Sequence, residues 1–143
     1  MRPALCLLVA LALAACNDLR DFQGEWTGSR IGEAPPLKVG IAGDAHARLT
    51  IDYITKHGLS GSLSIDGIVS DGDVESLEGA EADALATMTF GGAPMRVYMA
   101  FVDAPDGEIL VMIALYDSRR VEVRALRGGA TPLYAIFALS EGT

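Results

Sequence analysis

The chain has 143 residues and a formal net charge of −8, with 19 acidic against 11 basic side chains. This length suits one domain and leaves little room for a second. Nucleic acids and anionic membrane surfaces are bound chiefly through clusters of Lys and Arg. The charge therefore argues against nucleic acid as a partner and against a domain that adheres to membrane by its charge alone.

The first residues carry an export signal. Arg2 precedes an apolar run of about a dozen residues, whereas a membrane-spanning helix needs about 20. The run ends in Leu13-Ala14-Ala15-Cys16, which resembles the lipobox of bacterial lipoproteins. In that family the cysteine becomes the first residue of the mature chain and carries lipid, including palmitate. The resemblance implies a signal peptide over residues 1–15, lipidated Cys16 with a tether to residue 21, and one domain over 22–143.

The same resemblance places the protein in the cell envelope, held to the membrane through Cys16. In enterobacterial lipoproteins, an aspartate directly after the lipidated cysteine is associated with the inner membrane. Asn17 stands there instead, which implies the outer membrane, facing the periplasm. The alternative is an ordinary secretory signal cut nearby. Because Cys6 lies in the removed segment, no disulfide is expected in the mature chain.

The rest of the chain reads as antiparallel β structure, because short runs of alternating apolar residues are separated by Gly, Asp, Ser and Pro. Residues 37–41 and 49–53 are expected to form a hairpin across Gly43-Asp44, and a third strand contains Leu63 and Ile65. Later strands are predicted at residues 85–90, 95–102, 109–116, 120–126 and 133–139. Their spacing predicts an all-β domain, a meander of eight to ten strands forming one barrel or a strongly curved sandwich.

Residues 70–83 interrupt this pattern. The segment has six acidic and few large apolar side chains, so we expect an exposed connection with at most one helical turn, at 76–80. No other helix is predicted in the mature domain.

Three late strands are apolar on both faces, whereas a simple barrel strand is polar outside. A ligand, a partner or another part of the chain must therefore cover the second face.

Phe22, Gly24 and Trp26 form an F-x-G-x-W motif that is similar to the first strand of the calycins, the lipocalins and their relatives. The resemblance implies a barrel in which Trp26 plugs one end, and in which Arg124 or Arg127 caps the tryptophan. Trp26 is expected either in the core or in contact with a ligand.

The first functional hypothesis is a hydrophobic small molecule held in a lipocalin-like barrel. The expected lining residues are Trp26, Met95, Tyr98, Met99, Met112, Tyr116 and Phe137. The second hypothesis is an envelope interaction or assembly lipoprotein, homodimeric or bound to a larger complex. In that case one apolar sheet face meets the partner, formed by Tyr98, Ala100, Val102, Leu110, Met112 and Tyr116.

Other chemistry has little support in the sequence. Methionines on the late strands suit core filling, ligand lining or, less well, a Cu(I) site. The acidic stretch 71–75 lacks a full calcium-loop pattern, and His46 and His57 have no neighbours at ligand spacing, so surface positions are expected for both. We expect no enzyme, and accordingly no catalytic residue, metal or cofactor.

Overall fold

The fold was analysed in a computed structural model, which describes residues 18–31, 44–130 and 132–142. A 3₁₀ helix (Leu19–Phe22) leads into the sheet, and one α-helix, α1 (Ala80–Phe90), lies between the fourth and fifth strands. The strands are β1 (Gly24–Arg30), β2 (His46–Ile54), β3 (Leu59–Ile65), β4 (Val69–Glu75), β5 (Arg96–Val102), β6 (Ile109–Tyr116), β7 (Arg120–Arg127) and β8 (Leu133–Glu141).

The eight strands form one antiparallel sheet in the order β4-β3-β2-β1-β8-β7-β6-β5. Each strand pairs with its neighbour in sequence, except that β1 also pairs with β8 and that α1 separates β4 from β5. The sheet curls until its two edge strands meet, which makes a nearly closed barrel. The predicted all-β meander is confirmed.

The barrel closes along a seam between β4 and β5. A Cβ on Gly72 would lie 2.6 Å from Cγ1 of Val102, so the backbone of β4 approaches the side chains of β5 closely there. Just after the end of β4, the Leu77 N–H donates a 2.7 Å hydrogen bond to the Met99 carbonyl of β5. This is the one backbone hydrogen bond between the two sides of the seam among the described residues.

The barrel interior is a continuous apolar core, because alternate residues of every strand point inward. Trp26, Leu49 and Phe137 are 0–1 % exposed. The largest fully buried side chains are Trp26, Phe22, Phe137, Leu49, Ile51, Leu63, Ile65, Ile109, Ile113, Leu115, Leu139 and Val102. The described part of the chain has no buried polar or charged residue.

The outer face of the sheet differs between its two halves. On β3 it carries Ser60, Ser62 and Ser64, whereas on β6 it carries Leu110, Met112 and Ala114. Of the strands that are apolar on both faces, β5 and β6 are neighbours next to α1, whereas β7, which carries Arg120, Glu122 and Arg124 on its outer face, separates them from β8.

Two expectations for residues 69–90 were wrong. The acidic segment was expected to be a loop, but its first part is β4, an edge strand that buries only Val69 and Val74 and turns its acids outward. Residues 85–90 were expected to be a strand, but they form the second half of α1. The helix was missed because Ala86 is its only buried residue, so helical periodicity is weak.

The expected hairpin between residues 37–41 and 49–53 lies partly outside the described residues, because residues 37–41 are not among them. Its second strand is part of β2, which pairs with β1 along one edge and with β3 along the other.

Candidate interaction surface

The predicted ligand-binding residues lie on both faces of the sheet. Trp26, Tyr98 and Phe137 point into the barrel and are 1 %, 6 % and 0 % exposed. The Tyr98 hydroxyl donates to the Thr55 carbonyl over 2.6 Å, and burial raises its pKa. These three side chains form part of the packed core.

The other predicted residues lie on the outer face of the sheet, where Met99 and Met112 are nevertheless buried, at 6 % and 3 % exposed. Met99 and Met112 are direct cross-strand neighbours on the outer face of β5 and β6, and Tyr116 lies further along β6. Met95 precedes β5 and is 38 % exposed. The structure therefore brings Met99 and Met112 together but separates them from Trp26 and Phe137 by the thickness of the sheet.

The partner-facing set expected from the sequence divides in the same way. Tyr98 pairs with Ile113, and Ala100 pairs with Val111, which are interior residues of β6. Tyr98, Ala100 and Val102 are therefore core residues, whereas Leu110, Met112 and Tyr116 lie on the outer face. The assignment of all six to one face was wrong, since alternation alone does not say which face of a strand is turned inward.

Two of the three large apolar side chains of α1, Leu85 and Met88, are turned away from the sheet, whereas the third, Phe90, is partly buried. Ala86 is 8 % exposed and faces the domain, whereas Leu85 is 40 % and Met88 is 84 % exposed. Leu85 and Met88 are three residues apart and so share one face of the helix. We call this face, Leu85 and Met88, the exposed face of α1.

The exposed face of α1 lies in acidic surroundings. Glu81 and Asp83 are in the first turn of the helix, the exposed Glu78 precedes it, and the last turn has no basic residue. Carboxylates near a helix N-terminus are favourable because they meet the positive end of the helix dipole. The surface thus combines exposed apolar side chains with a negative rim.

The end of α1 is held by a half-buried polar cluster on β6 and β7. The Arg124 guanidinium lies 4.3 Å from the centre of the Phe90 ring, and its Nη2 is 3.6 Å from the Glu122 carboxylate. The Tyr116 hydroxyl donates to Glu122 over 3.1 Å, and burial followed by the Glu122 charge raises the pKa of Tyr116. Nε of Arg124 is buried without a hydrogen-bond partner. The cluster fixes Phe90 against the sheet through a cation–π contact.

A cleft of about 290 Å³ opens beside the seam, between the β2–β3 turn, the β4–α1 connection and β5. Its charged lining is mixed, with Lys56 and Arg96 opposite Glu78 and Asp83. The N–H and C=O of Val97 point toward the seam, because Met99 does so and residues two apart on a strand point the same way. The cleft therefore offers both charge and backbone groups of an edge strand.

The tryptophan motif packs as a local unit. The Trp26 indole N–H donates to the Phe22 carbonyl over 2.8 Å, and the two rings stack with centroids 5.5 Å apart. The expected cap by Arg124 or Arg127 is wrong, because Arg124 lies outside against Phe90 and Arg127 points to the carbonyl of Gly107. The arginine at the Trp26 end is Arg119, in the β6–β7 turn, which donates to the Asp21 carbonyl and to Glu141.

The remaining candidates are dispersed. Met88 is fully outside the sheet on α1, away from the Met99–Met112 pair, and His46 and His57 are exposed. Within the described ranges, no group of three or more His, Cys, Asp or Glu is arranged to hold a metal ion. None of the described helices is long and apolar enough to cross a membrane. Cys16, the predicted lipidation site, lies outside the described residues.

Comparisons with protein-family models, with curated proteins and with solved structures give no match to this chain. The sequence and the geometry above are therefore the basis for assigning a function.

Proposed function

We propose that this chain is a lipid-anchored cell-envelope protein that binds another envelope protein through the exposed face of α1. The anchor is supported by the Leu13–Cys16 sequence after an apolar segment too short to span a bilayer. The single observation that carries the binding function is that Met88 and Leu85 are turned to solvent while Ala86 is turned to the sheet.

A helix normally buries its largest apolar side chains against its own domain. Leu85 and Met88 of α1 are exposed instead and form a ridge rather than a pocket, so they suit a partner that supplies an apolar groove. Glu78, Glu81 and Asp83 lie beside the ridge and are negatively charged. Lys or Arg on the rim of the partner's groove would complement this charge. A second copy of the chain offers the same negative rim, so the proposed partner is a different protein with basic residues around an apolar groove.

The other function expected from the sequence, a hydrophobic small molecule inside the barrel, has less support. Side chains fill the interior, and the predicted lining residues are divided between the two faces of the sheet. That function stays a prediction, and native mass spectrometry of the purified unlipidated domain tests it.

Site-specific photo-crosslinking tests the proposed surface. A photo-reactive phenylalanine analogue replaces Met88 in one strain and Asp106, an exposed loop residue across the barrel, in a control strain. We expect one adduct of defined mass from position 88 that disappears with Leu85→Glu but persists with Thr87→Glu, an exposed polar position on the same helix. Equal crosslinking from both positions would overturn the proposal.

Light scattering of the unlipidated domain tests the choice of partner. We expect a monomer. A dimer that Met88→Glu converts to a monomer would overturn the proposed partner and identify a second copy as the occupant.

Labelling with palmitate tests the anchor separately. Label should enter the wild-type protein and be lost in Cys16→Ser, and incorporation into that variant would contradict anchoring at Cys16.

A further inference from the structure

We infer that the barrel stands with one end held against the lipid headgroups of the membrane, namely the end formed by the 3₁₀ helix, the β2–β3 turn and the β6–β7 turn. We call this the anchored end. The inference rests on the proposed lipidation of Cys16 and adds the orientation of the domain and the surface that meets the membrane.

The tether between lipid and fold is short. The Asp18 side chain accepts a 3.0 Å hydrogen bond from the Arg20 N–H and forms a 2.8 Å ion pair with its guanidinium, so the chain is held in the fold from Asp18 onward. The hydrogen bonds from Arg20 lower the pKa of Asp18, which keeps this cap charged. Asn17 is then the only residue between Cys16 and the fold. Two residue steps reach about 7 Å.

This reach is close to the depth of the headgroup layer. The polar region of a bilayer is about 6 Å thick on each side of the hydrocarbon core. Acyl chains on Cys16 lie in the hydrocarbon, so a 7 Å tether ends within or just outside the headgroups. The first folded residues must therefore lie at the membrane surface.

The junction between the tether and the barrel is fixed. Phe22 is 2 % exposed and stacked on Trp26. Next to it, the Gln23 side chain donates to the Asp52 carbonyl over 2.6 Å, and Arg119 donates to the Asp21 carbonyl over 3.4 Å. Because contacts with β1, β2 and the β6–β7 turn hold this segment, it cannot swing away from the barrel, and its position decides which end faces the lipid.

The antiparallel order brings specific side chains to the anchored end. β2 ends where β1 begins, and the β6–β7 turn lies at the same end, in contact with the 3₁₀ helix through Arg119. Tyr53, at the end of β2, is 61 % exposed, and Lys56 follows it in an exposed turn. A tyrosine ring suits the boundary between apolar and polar layers, and Lys and Arg pair with lipid phosphates.

The opposite end carries a different set of charges. The β3–β4 turn there contains Asp66, and the β5–β6 loop contains Asp103, Asp106 and Glu108, all exposed. The anchored end is acidic as well, because α1 joins the end of β4 to the start of β5 there and brings Glu78, Glu81 and Asp83 with it. Charge therefore does not choose between the two ends, and the orientation rests on the short tether. The cleft shares Lys56 and His57 with the anchored end, so its mouth opens close to the membrane.

Fluorescence quenching at single cysteines tests the orientation. Because Cys6 is removed with the signal peptide and Cys16 carries lipid, one introduced cysteine is the only free thiol of the mature protein. Ser118→Cys places a fluorophore in the β6–β7 turn at the anchored end, and Asp106→Cys is the matched variant at the opposite end. The lipidated proteins are reconstituted in vesicles of phosphatidylethanolamine and phosphatidylglycerol (3:1) with a quencher attached to a fraction of the headgroups.

We expect several-fold stronger quenching at position 118 than at position 106. Inserting a dozen Gly and Ser residues between Asn17 and Asp18 should make the two positions nearly equal, because the longer tether frees the barrel. Equal quenching with the natural tether would overturn the inference while leaving the anchor intact. Protein that does not float with the vesicles would instead show that the proposed anchor is wrong.

Discussion

The backbone carbonyl of Phe22 accepts the indole hydrogen bond of Trp26, four residues along the chain, while the two rings stack. The bond therefore joins the 3₁₀ helix to the first strand, and the stacked pair closes one end of the core. Each residue fixes the other, since loss of either ring leaves a space and loss of the indole N–H leaves a buried carbonyl without a donor.

Phe22→Ala should destabilise the domain by about 3–5 kcal/mol, because it removes a buried aromatic ring and its stacking contact. Trp26→Phe should cost about 1–3 kcal/mol through the unpaired Phe22 carbonyl, in addition to lost volume. Urea denaturation monitored by circular dichroism measures both. Phe101→Ala is the matched control, because Phe101 is 49 % exposed and its loss should change stability little. Equal losses at positions 22 and 101 would contradict the packing described.

Gly28→Ala should destabilise the barrel by at least about 1–3 kcal/mol, the usual range for overpacking. A Cβ at this position would overlap the backbone carbonyl of Ala138 on β8, which cannot move without separating β1 from β8. Thermal unfolding compares it with Gly92→Ala, where a Cβ meets nothing within 4 Å. Similar melting temperatures for the two variants would show that β1 and β8 are not packed this closely.

Ala86→Glu should release α1 from the sheet, since it places a charge at the buried contact of the helix with β5. The helical signal at 222 nm should fall, and stability should drop by about 1–3 kcal/mol. Ala84→Glu, on the exposed side of the same helix, should leave both nearly unchanged. A helix that tolerates both substitutions equally is not packed through Ala86.

Tyr98→Phe should show a pH-dependent effect. Below the ordinary tyrosine pKa of about 10 it should cost about 1 kcal/mol, because the Thr55 carbonyl loses its donor. Burial raises the pKa of Tyr98, so above pH 10 the unfolded chain loses this proton first and wild-type stability falls as pH rises toward the folded pKa. The variant lacks this contribution. The denaturation midpoints of the wild type and the variant should therefore converge between pH 7 and pH 11. A constant difference between the two midpoints over this range would contradict the prediction.

The late strands were predictable because their apolar residues alternate and turn residues mark their ends, as expected for strands in a barrel. Residues 109–116 match β6 at both ends, since Tyr116 is followed by the turn residues Asp117 and Ser118. Strand β4 was not predicted because an edge strand needs few buried residues. Its two buried residues, Val69 and Val74, are separated by four polar or small ones, so no apolar alternation is visible. Helix α1 was not predicted because its one buried residue, Ala86, is small, while Leu85 and Met88 are exposed.

The candidate surface is formed by two side chains of α1, and it was not predicted because the helix was not predicted. The three-residue spacing of Leu85 and Met88 was the available signal, but it acquires meaning only when the segment is helical. Alternation did identify two apolar faces on β5 and β6, but the register that turns Tyr98 inward and Met112 outward is set by pairing across the whole sheet.

The pairing of β1 with β8 has a consequence for how the domain forms. Strands β1 to β4 and β5 to β8 are two meanders built from neighbouring hairpins, and Trp26 pairs with Glu141 where the first meander meets the second. Contacts so distant in sequence are slow to form because a long loop must close first. If the chain is exported as proposed, with its N-terminus emerging first, the first meander can assemble early, but the barrel cannot close until β8 has crossed the membrane. In that case the pairing of β1 with β8 is the last step of folding and follows translocation.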